Sequence, residues 1–223
     1  MNTSLVLPAL YDPEHVSVSE APLRGARIWV DTARRLAMRP LIPDLSCDVL
    51  LTPAGPVLTT RTVSLTPVVM DSRTTITGLR LPIAATHVRI DRTWPGWRMR
   101  CAAEERLEGA LADGALAWRE DADVSTWVES LHMPFPSNIA RIATTTPLSE
   151  RTLRRRMDAA LGVSPIRVRR ILRLHRLASL LQQQSIASAV ADAGYVDQPH
   201  AARDVRALTG MQLRRLAQFR LAD

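Results

Sequence analysis

SERTLRRRMDAALG, residues 149–162, decides how the second half of the chain is read. On a helix of about 3.6 residues per turn, Leu153, Met157 and Leu161 recur at i, i+4 and i+8, the spacing of a buried seam. Arg151 and Arg155 point away from that seam. Arg154 and Arg156 flank it, so the arginines fan around the helix and do not form one patch. Just upstream, residues 137–143 read SNIARIA, a short helix capped by Ser137, and Thr144 to Pro147 break it. A short apolar helix, a tight turn and a second helix with apolar inside and arginine outside make a helix-turn-helix, whose second helix is shaped for a DNA major groove. For this stretch alone, a solvated arginine-rich face on an ordinary bundle helix is the plainer alternative.

The pattern recurs. Residues 186–193, IASAVADA, form a second short helix, Gly194-Tyr195-Val196-Asp197 a turn, and Gln198 to Thr209 a second outer helix. There Ala201, Val205 and Leu208 share the inner stripe, while Pro199, Arg203 and Arg206 fall opposite and His200 sits on the shoulder. Gly210 closes this helix as Gly162 closes the first. Between the copies one long helix runs from Pro165 to about Gln183, with Ser164 as its cap.

These residues resemble the DNA-binding domain of AraC-type bacterial transcription regulators. The resemblance rests on several motifs in order: Leu148-Ser149-Glu150-Arg151-x-Leu153-x-Arg155, Gly162-Val163-Ser164-Pro165, the Arg- and Leu-rich long helix, and Ala193-Gly194-Tyr195-x-Asp197-Gln198-x-His200. It covers roughly Thr126 to Leu221. It implies base contacts from Arg151, Arg154 and Arg155 on the first recognition helix, and from Gln198, Pro199, His200 and Arg203 on the second. An arginine fork suits guanine O6 and N7, and glutamine suits adenine N6 and N7. Two departures are present: the family commonly has an aromatic where Ala201 stands and a proline near Leu213, so the second unit is expected to dock more loosely. The long helix implies a spacer that sets the two recognition helices about one turn of DNA apart. Its Arg169, Arg170 and Arg173, with Arg206, Arg214 and Arg215, are candidates for phosphate contacts, which position without specifying sequence; a hydrated basic side is the alternative.

Composition changes near residue 136. Twelve of the fifteen prolines precede Ser137. Residues 1–136 hold 14 Arg against 16 Asp plus Glu, net −2, and residues 137–223 hold 15 Arg against 6, net +9, which together give the formal charge of +7. The basic half is what a polyphosphate partner requires, through release of condensed counterions. No apolar run is long enough to span a membrane and no signal peptide is legible, so the expectation is a bacterial cytoplasmic protein without a membrane partner.

Residues 1–100 carry short Val/Thr/Leu-rich segments separated by Pro, Gly and Asp: 27–30, 47–52, 57–63, 67–70, 74–81 and 87–90. Such spacing suggests a small barrel or sandwich. This part also resembles the N-terminal domain of one branch of the family, through Pro43-Asp44-Leu45-Ser46-Cys47-Asp48 and Gly78-Leu79-Arg80-Leu81-Pro82-Ile83-Ala84-Ala85, with Leu45 and Ile83 standing where glycine is expected. The resemblance implies a domain that binds a small effector, dimerises, or does both. Asp44, Asp48 and Arg80 are the candidate pocket or scaffold groups; capping turns or pairing within the sheet is the other reading.

The expected organisation is therefore α+β: a β-rich sensory or oligomerisation domain over 1–100, a helical linker over 101–124, and an all-α domain over 125–223 with two helix-turn-helix units joined by a long helix. Glu104 to Leu111 predict an acidic amphipathic helix, either a solvated linker or a dimer seam, and Ser125 to Leu131 predict the leading helix, with Trp127 and Leu131 in its core. The implied partners are double-stranded DNA, a small-molecule effector, a second copy of the chain, and RNA polymerase if the chain activates. An enzyme fused to a DNA-binding module is the rival class. It needs an activated thiolate at Cys47 or Cys101, and neither has a local motif to supply one. No paired acid and base, phosphate-cradling loop, nucleophile elbow or His-x-His cluster occurs, so no enzymatic activity, cofactor or metal is expected.

Overall fold

A computed structural model describes residues 10–11, 16–23, 26–32, 37–63, 66–70, 75–132, 148–217 and 220–221. In chain order the strands are β1 (Leu10–Tyr11), β2 (Val16–Leu23), β3 (Ala26–Thr32), β4 (Ala37–Leu41), β5 (Asp48–Thr52), β6 (Gly55–Leu58), β7 (Thr66–Met70), β8 (Thr75–Arg80) and β9 (Ala85–Ile90). Helix α1 (Ala103–Ala112), β10 (Leu116–Glu120) and α2 (Ala122–His132) follow. Then come α3 (Glu150–Leu161), α4 (Pro165–Leu180), α5 (Ile186–Asp192), α6 (Gln198–Thr209), α7 (Leu213–Leu216) and β11 (Arg220–Leu221). The fold is α+β, with strands first and helices after.

The main sheet has the order β2-β3-β8-β5-β6 and is antiparallel throughout. Alternation along its strands sorts side chains by face. Ile28, Leu79 and Val49 are in register across β3, β8 and β5, and together they pack against Leu107, Ala110 and Leu111 of α1 and Leu116 of β10. The row beside them is polar. Arg80 lies opposite Asp48, with Nε 3.2 Å from its Oδ1, and Arg80 Nη1 lies 2.9 Å from Asp44 Oδ2. Trp29 Nε1 donates to Asp48 Oδ1 at 3.0 Å. To reach it, the indole crosses the β8 backbone at Gly78, where an added Cβ would sit 2.4 Å from Trp29 Cε2. The Gly-x-Arg sequence thus has two physical reasons: glycine lets the ring pass, and arginine neutralises the carboxylates beneath it.

Leu45 explains the departure at its position. Its φ is +62°, the left-handed region where glycine is the default, so this residue carries backbone strain of about 1–2 kcal/mol. Its side chain is fully buried in a core shared with the helical part, and that burial offsets the strain. Asp44 supports the turn by accepting from the Ser46 amide at 3.0 Å.

Residues 101–124 differ from a helical linker. Leu107, Ala110 and Leu111 of α1 lie in the sheet's core, while β10 pairs antiparallel with β9, so the segment completes the N-terminal unit. The sequence hides this strand because it is five residues long and starts two residues after Gly114. Helix α2 begins three residues earlier than expected, where the Asp121 carboxylate accepts from the amides of Asp123 and Val124. The expected short helix over 137–143 and its break at Thr144 to Pro147 lie outside the described residues.

Burial pushes the Asp44 carboxyl up to about 6, with Asp48 adding to the rise and Arg80 opposing it. The folded chain therefore holds a proton there that the unfolded chain releases between 3.8 and about 6. This group's contribution to stability is complete below the unfolded value and declines as pH rises through about 6. Replacing Arg80 with methionine leaves two buried carboxylates without their counter-charge, and the expected loss at pH 7 is about 3–5 kcal/mol. Acid relieves it, because protonation removes the uncompensated charge. Urea unfolding of both proteins at neutral and mildly acidic pH checks this: a loss of equal size at both would assign the effect to packing.

Candidate nucleic-acid interface

Helix α3 is built as its periodicity requires. Leu153, Met157 and Leu161 are at most 1% exposed. Ser149 caps the start by accepting from the Thr152 amide, and Gly162 ends the helix at φ +71°. On the outer face Arg151, Arg154, Arg155 and Arg156 are all exposed. Two of these are engaged: Arg154 donates to Glu150 one turn back, and Arg156 Nη1 donates to Asp123 Oδ2 of α2 at 3.0 Å. Among the described residues, Arg151 and Arg155 have no ion-pair or hydrogen-bond partner. Two fork-shaped cations are thus displayed on a helix locked in place by its opposite stripe.

Helix α6 is framed in the same way. Asp197 caps it by accepting from the His200 amide at 2.6 Å, Pro199 occupies the first turn, and Gly210 ends it at φ +67°. Gln198, Pro199 and Arg203 are exposed; His200 is half-buried, its ring edge-on to Tyr195. Arg203 Nε donates to the Pro199 carbonyl at 3.3 Å.

The two helices are held by α4, whose arginines reach into the second unit. Arg170 Nε lies 2.5 Å from Asp204 Oδ1 and Arg173 Nη2 lies 3.1 Å from Asp204 Oδ2. The Tyr195 hydroxyl donates to the same carboxylate at 3.2 Å, and the Arg173 guanidinium sits 4.1 Å from the centre of the Tyr195 ring. Asp204 itself is 6% exposed. Burial pushes the Tyr195 phenol well above its ordinary value, the Asp204 charge adding to the rise and Arg173 opposing it. Arg170 and Arg173 are therefore engaged in the α6 anchor. Arg176 Nε likewise donates to the Asp192 carbonyl at the end of α5. Arg206, Arg214 and Arg215 are exposed, and Arg169 is half-buried.

This anchor also bears on the two departures in the second unit. Ala201 is fully buried despite its size, and Leu213 is 5% exposed at the start of α7. A charged network between α6 and α4 supplies the hold that a small side chain at Ala201 gives up. The sequence signal for it is Asp204 itself, a carboxylate three residues after Ala201 and four before Leu208, on the buried side of the helix.

On its other side α4 grips the N-terminal unit. Arg167 Nε and Nη2 donate to the Val63 carbonyl at 3.1 and 2.9 Å, and His175 Nε2 donates to the Pro43 carbonyl at 2.8 Å. Ile42, Leu45, Ile83 and Ala84 enter one core with Trp127, Leu131, Leu153 and Leu174. Asp44, Asp48 and Arg80, the candidate effector groups, are each under 10% exposed and bonded to one another. Their geometry is that of a scaffold. Among the described residues no group of three or more His, Cys, Asp or Glu could hold a metal ion, and no helix is long and apolar enough to cross a membrane.

The model of a helix-turn-helix domain family matches residues 142–218, the span that holds α3, α4, α5, α6 and α7. Residues 142–218 are an AraC-type helix-turn-helix domain. The matched domain supports a DNA-binding transcription regulator. Solved structures extend the likeness beyond this AraC-type domain. Over 94% of this chain and 100% of the other, the fold is similar to ToxT from Vibrio cholerae, at 8% identity and a TM-score of 0.50. An apo ToxT variant gives 86% and 96% coverage, 8% identity and a TM-score of 0.51. An AraC-type regulator from Chromobacterium violaceum is 28% identical over 43% of this chain and 85% of that one, with a TM-score of 0.38. No curated protein matches the chain. The ToxT likeness speaks to the fold alone: a β-rich part followed by a helical domain.

Replacing Asp204 with alanine strands Tyr195 and two arginines, and the expected loss is about 2–3 kcal/mol, the scale of hydrogen bonds to a charged group. Amide hydrogen exchange is expected to quicken in α6 while α3 keeps its protection. Uniform exchange across both helices would mean that Asp204 supports the whole domain rather than the second unit.

Proposed function

We propose that this regulator reads two adjacent major-groove segments, with α3 in one and α6 in the next. The observation that carries the reading is the outward, unpartnered display of Arg151 and Arg155 on a helix whose inner stripe is fully buried. Arg154 adds a third guanidinium that its exposed partner Glu150 can release to a base. On α6 the reading groups are Gln198, Pro199, His200 and Arg203 at the leading end and outer face. Arg206, Arg214 and Arg215, with Arg169 at the edge of α4, are the proposed phosphate contacts, and they position the domain without choosing sequence.

The N-terminal unit is read as the part that takes a small-molecule effector or pairs two copies of the chain. Its direct contact with α4 supports a role in setting how the two recognition helices are held. RNA polymerase becomes a partner if the regulator activates, and the place of action is the bacterial cytoplasm, where the DNA lies. The rival, a thiol-reactive enzyme, is disfavoured at Cys47: that side chain is buried, and burial pushes the thiol up, away from the thiolate such chemistry needs. The chain is therefore read as non-enzymatic.

The test begins with selection of genomic fragments by the full-length protein and footprinting of the recovered sites. Two protected faces about one helical turn apart are expected. Arg155→Ala is expected to weaken binding to a recovered site by about 1–3 kcal/mol and to leave random duplex nearly unaffected. Equal loss on both would remove Arg155 from the base-reading set. The double variant Arg214→Ala, Arg215→Ala is expected instead to lower affinity for every sequence and flatten the log–log salt slope by about 1.8. An unchanged slope would take both residues out of the phosphate set.

A further inference from the structure

We propose that Val196 is a specificity residue of the second unit, its side chain packing on the 5-methyl group of a thymine in the groove segment that α6 occupies. This rests on the reading of α6 given above and adds a contact to it. Val196 is 87% exposed, the most exposed of the large hydrophobic side chains among the described residues. Its neighbours account for that. Tyr195 turns inward, 5% exposed, its hydroxyl donating to Asp204 and its ring beneath the Arg173 guanidinium. Asp197 turns back onto the helix, its carboxylate accepting from the His200 amide. Val196 is thus held between two committed residues, with its own side chain directed to solvent at the leading end of α6.

The residues at that end of a recognition helix are the ones that reach base edges. Three residues on, Pro199 is also exposed and apolar. Neither side chain carries a hydrogen-bonding group, and proline lacks a backbone N–H as well. What such a pair can distinguish in the major groove is the apolar feature of one base, the methyl group of thymine. Gln198 stands between them with an amide for an adjacent adenine, so the end of α6 combines an apolar and a polar reader. A valine left almost wholly in water gains by covering that methyl, whereas a serine there would not.

The experiment uses the full-length chain and the sites recovered by selection. Each thymine of the second protected segment is replaced in turn by deoxyuridine, which removes the methyl and keeps O4. At one position the wild type is expected to bind about four-fold more weakly, the worth of one buried methyl. Val196→Ser is expected to bind the unmodified site about four-fold more weakly, to keep the wild-type Tm, and to show no further loss at that uracil. A uracil penalty of the same size in both proteins overturns the proposal, as does the absence of any penalty in the wild type. The failures are separable. Two protected segments without methyl dependence remove Val196 alone, whereas no preference among duplexes removes the regulator reading with it.

Discussion

Five basic side chains of α4 reach acceptors on the elements packed around it, and the placement of those elements follows from where the acceptors lie. Arg167 and His175 bind carbonyls of the N-terminal unit, Arg170 and Arg173 bind the Asp204 carboxylate of α6, and Arg176 binds the end of α5. A helix with this much positive charge would ordinarily keep it in water. Here the charge is directed inward at polar groups of neighbouring elements, and the apolar residues between them, Val168, Ile171, Leu172 and Leu174, fill the core that results. Helices α3 and α6 are therefore mounted on one body.

The two helices proposed to read DNA needed little beyond their own sequence to be found. Leu153, Met157 and Leu161 keep the helical period without interruption, and Ser149, Gly162, Asp197 and Gly210 punctuate the ends with side chains and dihedrals that have few other uses. The strands were legible where alternation was clean, as at β5 and β8. β10 was not, because a short strand beside a helix carries too few residues to show a period.

Charge roles were the least legible feature. From sequence, Arg169, Arg170 and Arg173 look alike, three arginines on one side of a basic helix. Which of them is internal depends on Asp204, some thirty residues away, and on the packing that buries it. Asp44, Asp48 and Arg80 show the same limit: their polarity suggested a pocket or a scaffold, and their contact with one another depends on strand register, which sets Asp48 opposite Arg80. Leu45 is the converse case. Glycine is the residue its dihedral prefers, yet leucine stands there because the side chain is needed in a core that a reading of the N-terminal part by itself does not contain.

The grip of α4 on the N-terminal unit ends on main-chain oxygens, those of Pro43 and Val63. A carbonyl is common to all twenty residue types, so these hydrogen bonds by themselves place almost no demand on side chains; the demand comes from the shared core, which takes Ile42 and Leu45 on either side of Pro43. The positions that offer the carbonyls are thus held by the chain's path, and those that enter the core by their side chains. The burden of inheritance falls on Arg167 and His175, whose donors have no substitute in the backbone. The joint therefore has two parts, one that asks only for a main-chain path and one that asks for particular apolar shapes.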